Sequence, residues 1–383
     1  MRPVAGRNPN RGLIGTARGR EQLATPALVL DLDAFERNLS YMTAYCTRHG
    51  MALRPHAKTH KSVRIAREQH RAGAVGTSVA TLREAAVMVG AGLTGVLLTS
   101  PLAGAVKLEA LVQLLPARGT APLTVAVDSL AAARALEGRL KRARKTVPVL
   151  MDLDPGMKRT GVRSTRDALA LARHLACSDV LQFRGVQYYS GMVQHIGRVA
   201  ARARIYRSQL QHLERILTAL QARGLPATIV SGGGTGTFAL DCRSGLFTEC
   251  QAGSYIFMDR QYNDVELMAG TAHPFETALY VQATVISANH AGRVTLDTGF
   301  KSFAMDGPPP AAVGTAGRSR FQFYGDEFAV LSFPRGQRTP ALGSRVEFVT
   351  PHCDPTVNLH SFYHCVRGQR LVDIWHIDAR GSL

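Results

Sequence analysis

Acidic residues are in short supply: 28 Asp and Glu stand against 46 Lys and Arg in 383 residues, a formal net charge of +18. No Asp or Glu precedes Glu21, whereas Arg2, Arg7, Arg11, Arg18 and Arg20 fall in that same stretch among glycines and prolines. This composition reads as a flexible basic arm over residues 1–24, because the stretch lacks the amphipathic apolar face of a transit peptide. A second basic cluster, Arg139, Lys141, Arg142, Arg144 and Lys145, reads as the solvated face of a helix. Aromatics make up 7% of the chain, and none interleaves with these charges, so no specific nucleic-acid partner is expected. No run approaches the roughly 20 apolar residues of a membrane-spanning helix, so no membrane partner is expected either. The six cysteines (Cys46, Cys177, Cys242, Cys250, Cys353 and Cys365) lack CxxC spacing. Scattered in this way, they argue for reduced thiols in a cytoplasmic protein rather than a disulfide framework.

What is present is an ordinary globular balance, 45% hydrophobic and 19% charged, in a chain long enough for two domains. Short β-rich runs at 27–33, 52–58, 76–81, 95–100, 122–129, 147–154, 183–190, 227–233 and 249–257 alternate with amphipathic helical stretches. Alternation of this kind implies a parallel sheet covered by helices, and nine runs is one more than a (β/α)8 barrel uses. Beyond residue 270 the helical periodicity fades. Runs at 278–287, 293–297 and 345–350, with a hairpin near 365–371, look antiparallel. The expected architecture is α/β: a TIM barrel over 25–265 followed by a C-terminal antiparallel β domain over 266–383.

In such a barrel chemistry sits at the C-terminal strand ends. The octet Arg54-Pro55-His56-Ala57-Lys58-Thr59-His60-Lys61 places Lys58 at one of them. A lysine whose pKa is lowered by burial or by nearby cations captures an aldehyde as a Schiff base, and Arg54, His56, His60 and Lys61 crowd this one. Read alone, the octet is equally a basic surface turn. Arg159 follows the sixth run, and Tyr188 and Tyr189 close the seventh. Ser231-Gly232-Gly233-Gly234-Thr235-Gly236-Thr237 is neither a Walker A loop nor a Rossmann fingerprint. Its glycines let the backbone curl so that several N–H groups face one anion, with the Thr235 and Thr237 hydroxyls adding donors. Gln251-Ala252-Gly253-Ser254 ends the next run and offers a second cup for a phosphate. Near the C-terminus, His352 and Asp354 stand two apart; in an extended segment they share a side, with Cys353 turned away, and suit a hydrated divalent metal.

Together these motifs resemble the D-threonine aldolase and D-serine dehydratase family of fold type III pyridoxal-phosphate enzymes, whose barrel is that of alanine racemase. The resemblance runs from about Thr25 to Gly381. It is carried by the 25–33 segment, the octet, Gln187 to Gly191 with Gln194 and His195, the glycine loop, Gln251 to Asp259, and His352 to Thr356. It implies that the first strand joins the β domain, leaving eight for the barrel. It implies that Lys58 carries pyridoxal 5'-phosphate, that Arg159 lies against the cofactor's phenolic oxygen, and that Gln251 replaces an arginine at the pyridine nitrogen. Tyr189, Gly234, Thr235, Gly236, Gly253, Ser254 and Tyr262 are implied as further cofactor contacts. His352 and Asp354 are the implied ligands of a divalent metal: manganese, or else magnesium, cobalt or zinc. The implied substrate is a small D-β-hydroxy-α-amino acid, cleaved to glycine and an aldehyde, with a metal-bound water or a nearby histidine, His195 or His60, taking the hydroxyl proton. A homodimer is implied as well.

Some positions depart from the aldolase pattern. Thr77 to Ala85 is similar to the dehydratase branch, and Phe328 stands where aldolases often have a histidine. His-x-Asp, rather than the dehydratases' His-x-Cys, favours aldol cleavage. The alternatives are a 3-hydroxy-D-aspartate aldolase, a D-serine or 3-hydroxy-D-aspartate dehydratase, and a non-catalytic pyridoxal-phosphate-binding protein.

Overall fold

The structure is a computed structural model that describes residues 8–381 apart from 118, 120, 271–272 and 315–318. After β1 (Ala27–Asp31), eight strands form a parallel sheet: β2 (Ala52–Leu53), β3 (Thr77–Val79), β4 (Val96–Leu98), β5 (Leu123–Val127), β6 (Val147–Leu153), β7 (Leu181–Tyr188), β8 (Ile229–Gly232) and β9 (Glu249–Cys250). They pair in sequence order from β3 to β9, and β2 pairs with β9. Just past β2, His56 bridges Ser78 of β3 in parallel, so the two ends of the sheet meet. These strands are apolar on both faces, as strands between a filled interior and an outer helical layer must be. In β6, Val147, Val149, Leu150, Met151 and Leu153 are all buried. The helix Leu82–Gly90 shows how turns are punctuated: Thr81 and Glu84 form a reciprocal capping box at its start.

The first run, the one more than the barrel uses, belongs to the other sheet, as expected. β1 lies between β10 (Leu279–His290), antiparallel, and Phe362–Arg367, parallel, with Val29 opposite both Tyr280 and His364. It ends two residues earlier than its pattern implies, because the Asp31 carboxylate accepts from the N–H groups of Asp33 and Ala34 and starts the helix Leu32–Arg48. The strand expected over 249–257 also stops early. A Cβ on Gly253 would lie 2.5 Å from Thr59 Oγ1, so the chain crosses the octet closely there and leaves the ladder for the turn Ser254–Ile256.

The expected free arm is a correction. Residues 1–7 lie outside the described residues, but 8–24 are docked on the β domain. Asn10 is buried and its Nδ2 reaches His364 Nε2 at 2.9 Å, while Arg20 grips Glu347 through two bonds of 2.7 and 2.6 Å. Leu23 packs with Ala27, Val29, Val366 and Leu371. What seemed a run of unspent charge is partly a strap with assigned partners. The second basic cluster is mostly a solvated face, except that Lys145 turns in to the carbonyls of Val112 and Leu115.

Candidate active site

Lys58 follows β2 in a turn, at the mouth of a cavity of about 360 Å3. Its ammonium lies 3.1 Å from Asp354 Oδ2, on a helix of the β domain. The cations that crowd it in sequence are spent elsewhere: Arg54 pairs with Glu249 at 2.6 Å and Lys61 with Glu84 at 2.5 Å. His56 and His60 are neutral, burial lowering each to about 3. So the expected depression of the Lys58 pKa does not occur. The Asp354 charge outweighs burial and holds the ammonium well above the usual lysine value. Burial alone would raise Asp354, but Lys58 and then His352 hold its carboxyl well below the usual range.

His352 and Asp354 do not lie along one extended segment, though the His352 charge acts on Asp354. His352 is extended and precedes the helix Cys353–Leu359; Asp354 sits in that helix's first turn. Cys353 does not turn outward: it is buried, with Sγ 3.4 Å from Asp354 Oδ1. The buried Asp259 carboxylate joins the two domains here, accepting from the N–H of Tyr262 at 3.0 Å and of Cys353 at 2.8 Å. His352 Nδ1 meets Asp306 Oδ2 at 2.8 Å, which leaves Nε2 for a ligand. Among the described residues no group of three His, Cys, Asp or Glu is placed to hold a metal. The donor set therefore fits a divalent ion taking one imidazole and one carboxylate and completing its shell from solvent or substrate.

The phosphate cup is built differently from its sequence reading. The Gly233, Gly234 and Gly236 amides are spent on Tyr188 O, Thr237 Oγ1 and Gln194 Oε1. The Thr237 hydroxyl donates to Asp241 at 2.7 Å. These glycines serve close packing: a Cβ on Gly236 would lie 2.1 Å from Gln194 O. The free donors are instead the backbone N–H groups of Thr235, Gly253 and Ser254. None of the three finds an acceptor among the described residues, and all three residues line the cavity. Unspent amides converging from two adjacent strand ends are the requirement for a bound phosphate.

Lys58, Arg159, Tyr189, Gly234, Gln251 and Tyr262 line the same cavity. The Arg159 guanidinium lies 5.6 Å from the Tyr189 ring centre. Gly236 does not line it, and neither do the two candidate bases. His60 is wholly buried, with its Nδ1 accepting from the Ser62 N–H, and cannot reach a substrate. His195 packs beside the cavity wall, its ring centre 4.6 Å from that of Tyr262, and burial followed by His352 lowers its pKa. Sequence reading missed His56, Gln187 and Asp306. His56 Nδ1 accepts from the Lys58 N–H at 3.3 Å and its Nε2 meets Thr99 Oγ1 at 3.2 Å, so it steadies the turn that presents the lysine. It sat inside the quoted octet. Asp306 lies in a loop without periodicity, where no local pattern marks it.

Comparison with known proteins agrees with this fold. The family described as alanine racemase, N-terminal domain, matches residues 30–261, and a serine dehydratase domain matches 278–366. A D-threonine aldolase from Arthrobacter sp is 38% identical over 357 residues, 93% of each chain. The crystal structure of D-threonine aldolase from Filomicrobium marinum superposes with a TM-score of 0.89 at 37% identity, covering 94% of this chain and 96% of that one. A D-threo-3-hydroxyaspartate dehydratase variant in its metal-free form superposes at 0.83 with 28% identity, covering 92% and 97%.

Proposed function

The chain belongs to the D-threonine aldolase family of alanine racemase-type, pyridoxal-phosphate-dependent enzymes, and from that membership we propose that it cleaves D-β-hydroxy-α-amino acids, D-threonine among them, to glycine and an aldehyde. The observation that carries the reading is the meeting of Lys58 with Asp354 beside three unspent backbone amides. When bound, pyridoxal phosphate supplies an electron sink at the substrate's Cα and a divalent ion supplies a Lewis acid for its β-hydroxyl.

The chain's own residues do the rest. Thr235, Gly253 and Ser254 would hold the phosphate through their unspent amides, and Arg159, in the same cavity, would supply a positive charge to the cofactor. Lys58 would hold the cofactor's aldehyde carbon, and Asp354 and His352 would hold the metal. Asp354 holds the Lys58 proton, and Lys58 acts as a nucleophile once that proton is given up. His195, kept neutral by its surroundings, accepts the β-hydroxyl proton. Burial, then Tyr189 and the Asp259 and Asp354 carboxylates, hold Tyr262 as a neutral donor at the cavity wall.

The finer parts of the proposal are manganese as the metal, a homodimer, and a cytoplasmic location. The last is supported by six cysteines all free of disulfides, and no described helix is long and apolar enough to cross a membrane. The test is product identity from D-threonine with manganese: glycine and acetaldehyde support the reading. Ammonia and an oxo acid would replace it with β-elimination, a second reading favoured by the likeness to the dehydratase structure.

A further inference from the structure

The cavity wall contains two amide side chains whose directions are set by their partners. Gln187, buried near the end of β7, donates through Nε2 to Thr99 O at 2.8 Å and to Asp152 Oδ1 at 2.9 Å. A peptide carbonyl can only accept, so Gln187 turned end for end would set its own oxygen against Thr99 O. Its Oε1 therefore points the other way, to Gln251 Nε2 at 3.5 Å. That same nitrogen donates to Ser231 Oγ at 3.0 Å. Both hydrogens of the Gln251 amide are thus directed into the protein, and its Oε1 has no donor among the described residues. Gln187 and Gln251 both line the cavity.

A ligand atom that meets Gln251 must therefore bring a donor. Among the other polar groups of the cavity, the three backbone amides and the Arg159 guanidinium offer only donors and so are complementary to acceptors. On the reading of this cavity as a pyridoxal-phosphate site, the amides take the phosphate and Arg159 the phenolic oxygen as its anion. The remaining polar atom of the cofactor is the ring nitrogen, which meets an acceptor only when it carries a proton. We propose that Gln187 is a positioning residue that holds Gln251 with its carbonyl oxygen toward the cavity, so that this chain takes its cofactor with the ring nitrogen protonated. An arginine in place of Gln251 would offer only donors and would favour the unprotonated ring. The protonated ring withdraws electrons more strongly, which suits cleavage of a carbon–carbon bond, where a full electron pair must be taken up.

The experiment uses the full chain loaded with pyridoxal phosphate labelled with nitrogen-15 in the ring, read by its nitrogen-15 chemical shift at neutral pH. The wild type and Gln251→Glu, which keeps an acceptor, are expected to show the protonated resonance. Gln251→Met is expected to move it toward the unprotonated position. Gln187→Met, which frees Gln251 to turn, is expected to move it part of the way, with melting temperatures reporting whether each variant is folded. An unprotonated resonance in the wild type, as when Gln251 meets the phenol instead, would overturn the proposal, as would a folded Gln251→Met whose shift matches the wild type. If borohydride traps no cofactor on Lys58 of the wild type, it is the cofactor reading of the cavity that fails instead.

Discussion

Lys58 Nζ lies 3.1 Å from Asp354 Oδ2, so the two domains meet in one ion pair at the cavity mouth. The pair ties the state of the lysine to the charge on the neighbouring carboxylate. Asp354→Asn removes the charge that holds the lysine proton. Covalent capture of pyridoxal phosphate is then expected to extend to lower pH, while manganese affinity falls. Absorbance titration against pH measures the first and calorimetry the second; an unchanged capture profile would show that the ion pair does not govern Lys58. Lys58→Ala is expected to leave no cofactor trapped by borohydride, as read by intact mass.

Asp306 fixes the His352 ring through Nδ1. Removing such a carboxylate costs metal-binding histidines about 10–100-fold in affinity. Asp306→Ala is expected to weaken manganese binding within that range. Because Asp306 is largely exposed, the melting temperature of the metal-free protein should stay within a degree or so. A stability loss without an affinity loss would assign Asp306 a structural role only.

Gly253 is where the phosphate cup touches the octet. An alanine there meets Thr59 Oγ1 at 2.5 Å and His56 O at 3.0 Å. Overpacking of this kind costs about 1–3 kcal/mol, and here the strain falls on the turn that carries Lys58. Gly253→Ala is expected to lower both the urea midpoint and the affinity for pyridoxal phosphate. Loss of stability with unchanged cofactor affinity would mean the turn absorbs the methyl without moving Lys58.

Stability should fall in mild acid. Burial lowers His56 and His60 to about 3 and His360 to about 4, whereas an unfolded histidine titrates near 6.5. The unfolded chain thus binds more protons below pH 6.5, and the stabilisation is lost as pH drops toward those native values. Asp152, raised to about 6, and Asp241, raised to about 7, act in the opposite sense. Their contribution is present below about pH 3.8 and is lost as pH rises through 6 to 7. His60→Asn, which cannot charge, is expected to flatten the acid limb of a denaturation-midpoint profile between pH 6.5 and 4. An unaltered limb would place the proton uptake elsewhere.

Much of this was legible before any coordinates. Alternating periodicity located every barrel strand, because each is a short apolar run between amphipathic helical stretches. Lys58, Arg159 and Gln251, singled out in local motifs at barrel strand ends, line one cavity, and His352 and Asp354, singled out by their spacing, stand at the start of one helix. The misses share a cause. Which cation neutralises which anion depends on distant chain segments: Arg54 pairs with Glu249, Arg20 with Glu347 and Lys58 with Asp354. Charge crowding within the octet therefore pointed to the wrong sign for the Lys58 shift. The strap over residues 8–24 was missed for the same reason, since its composition resembles a loop and its partners lie some 350 residues away. Which loop amides stay unspent likewise depends on Gln194 and Thr237 rather than on the count of glycines.

The placement of β1 bears on how the chain is made. It is synthesised before the barrel, yet its two neighbours are β10 and the strand Phe362–Arg367, both of which follow the barrel. The barrel, whose partners follow one another in sequence, can assemble during synthesis. This interior strand of the other sheet must wait until Phe362–Arg367 has been made. Its apolar run Ala27 to Leu30, wholly buried in the finished molecule, is open to solvent and to helper proteins throughout that interval. Half-length fragments that end after the barrel would keep this strand permanently unpaired, and trimming ahead of residue 27 would remove the strap that covers it. Dissection of this enzyme into separately expressed halves is thus best attempted by moving β1 to the C-terminal piece.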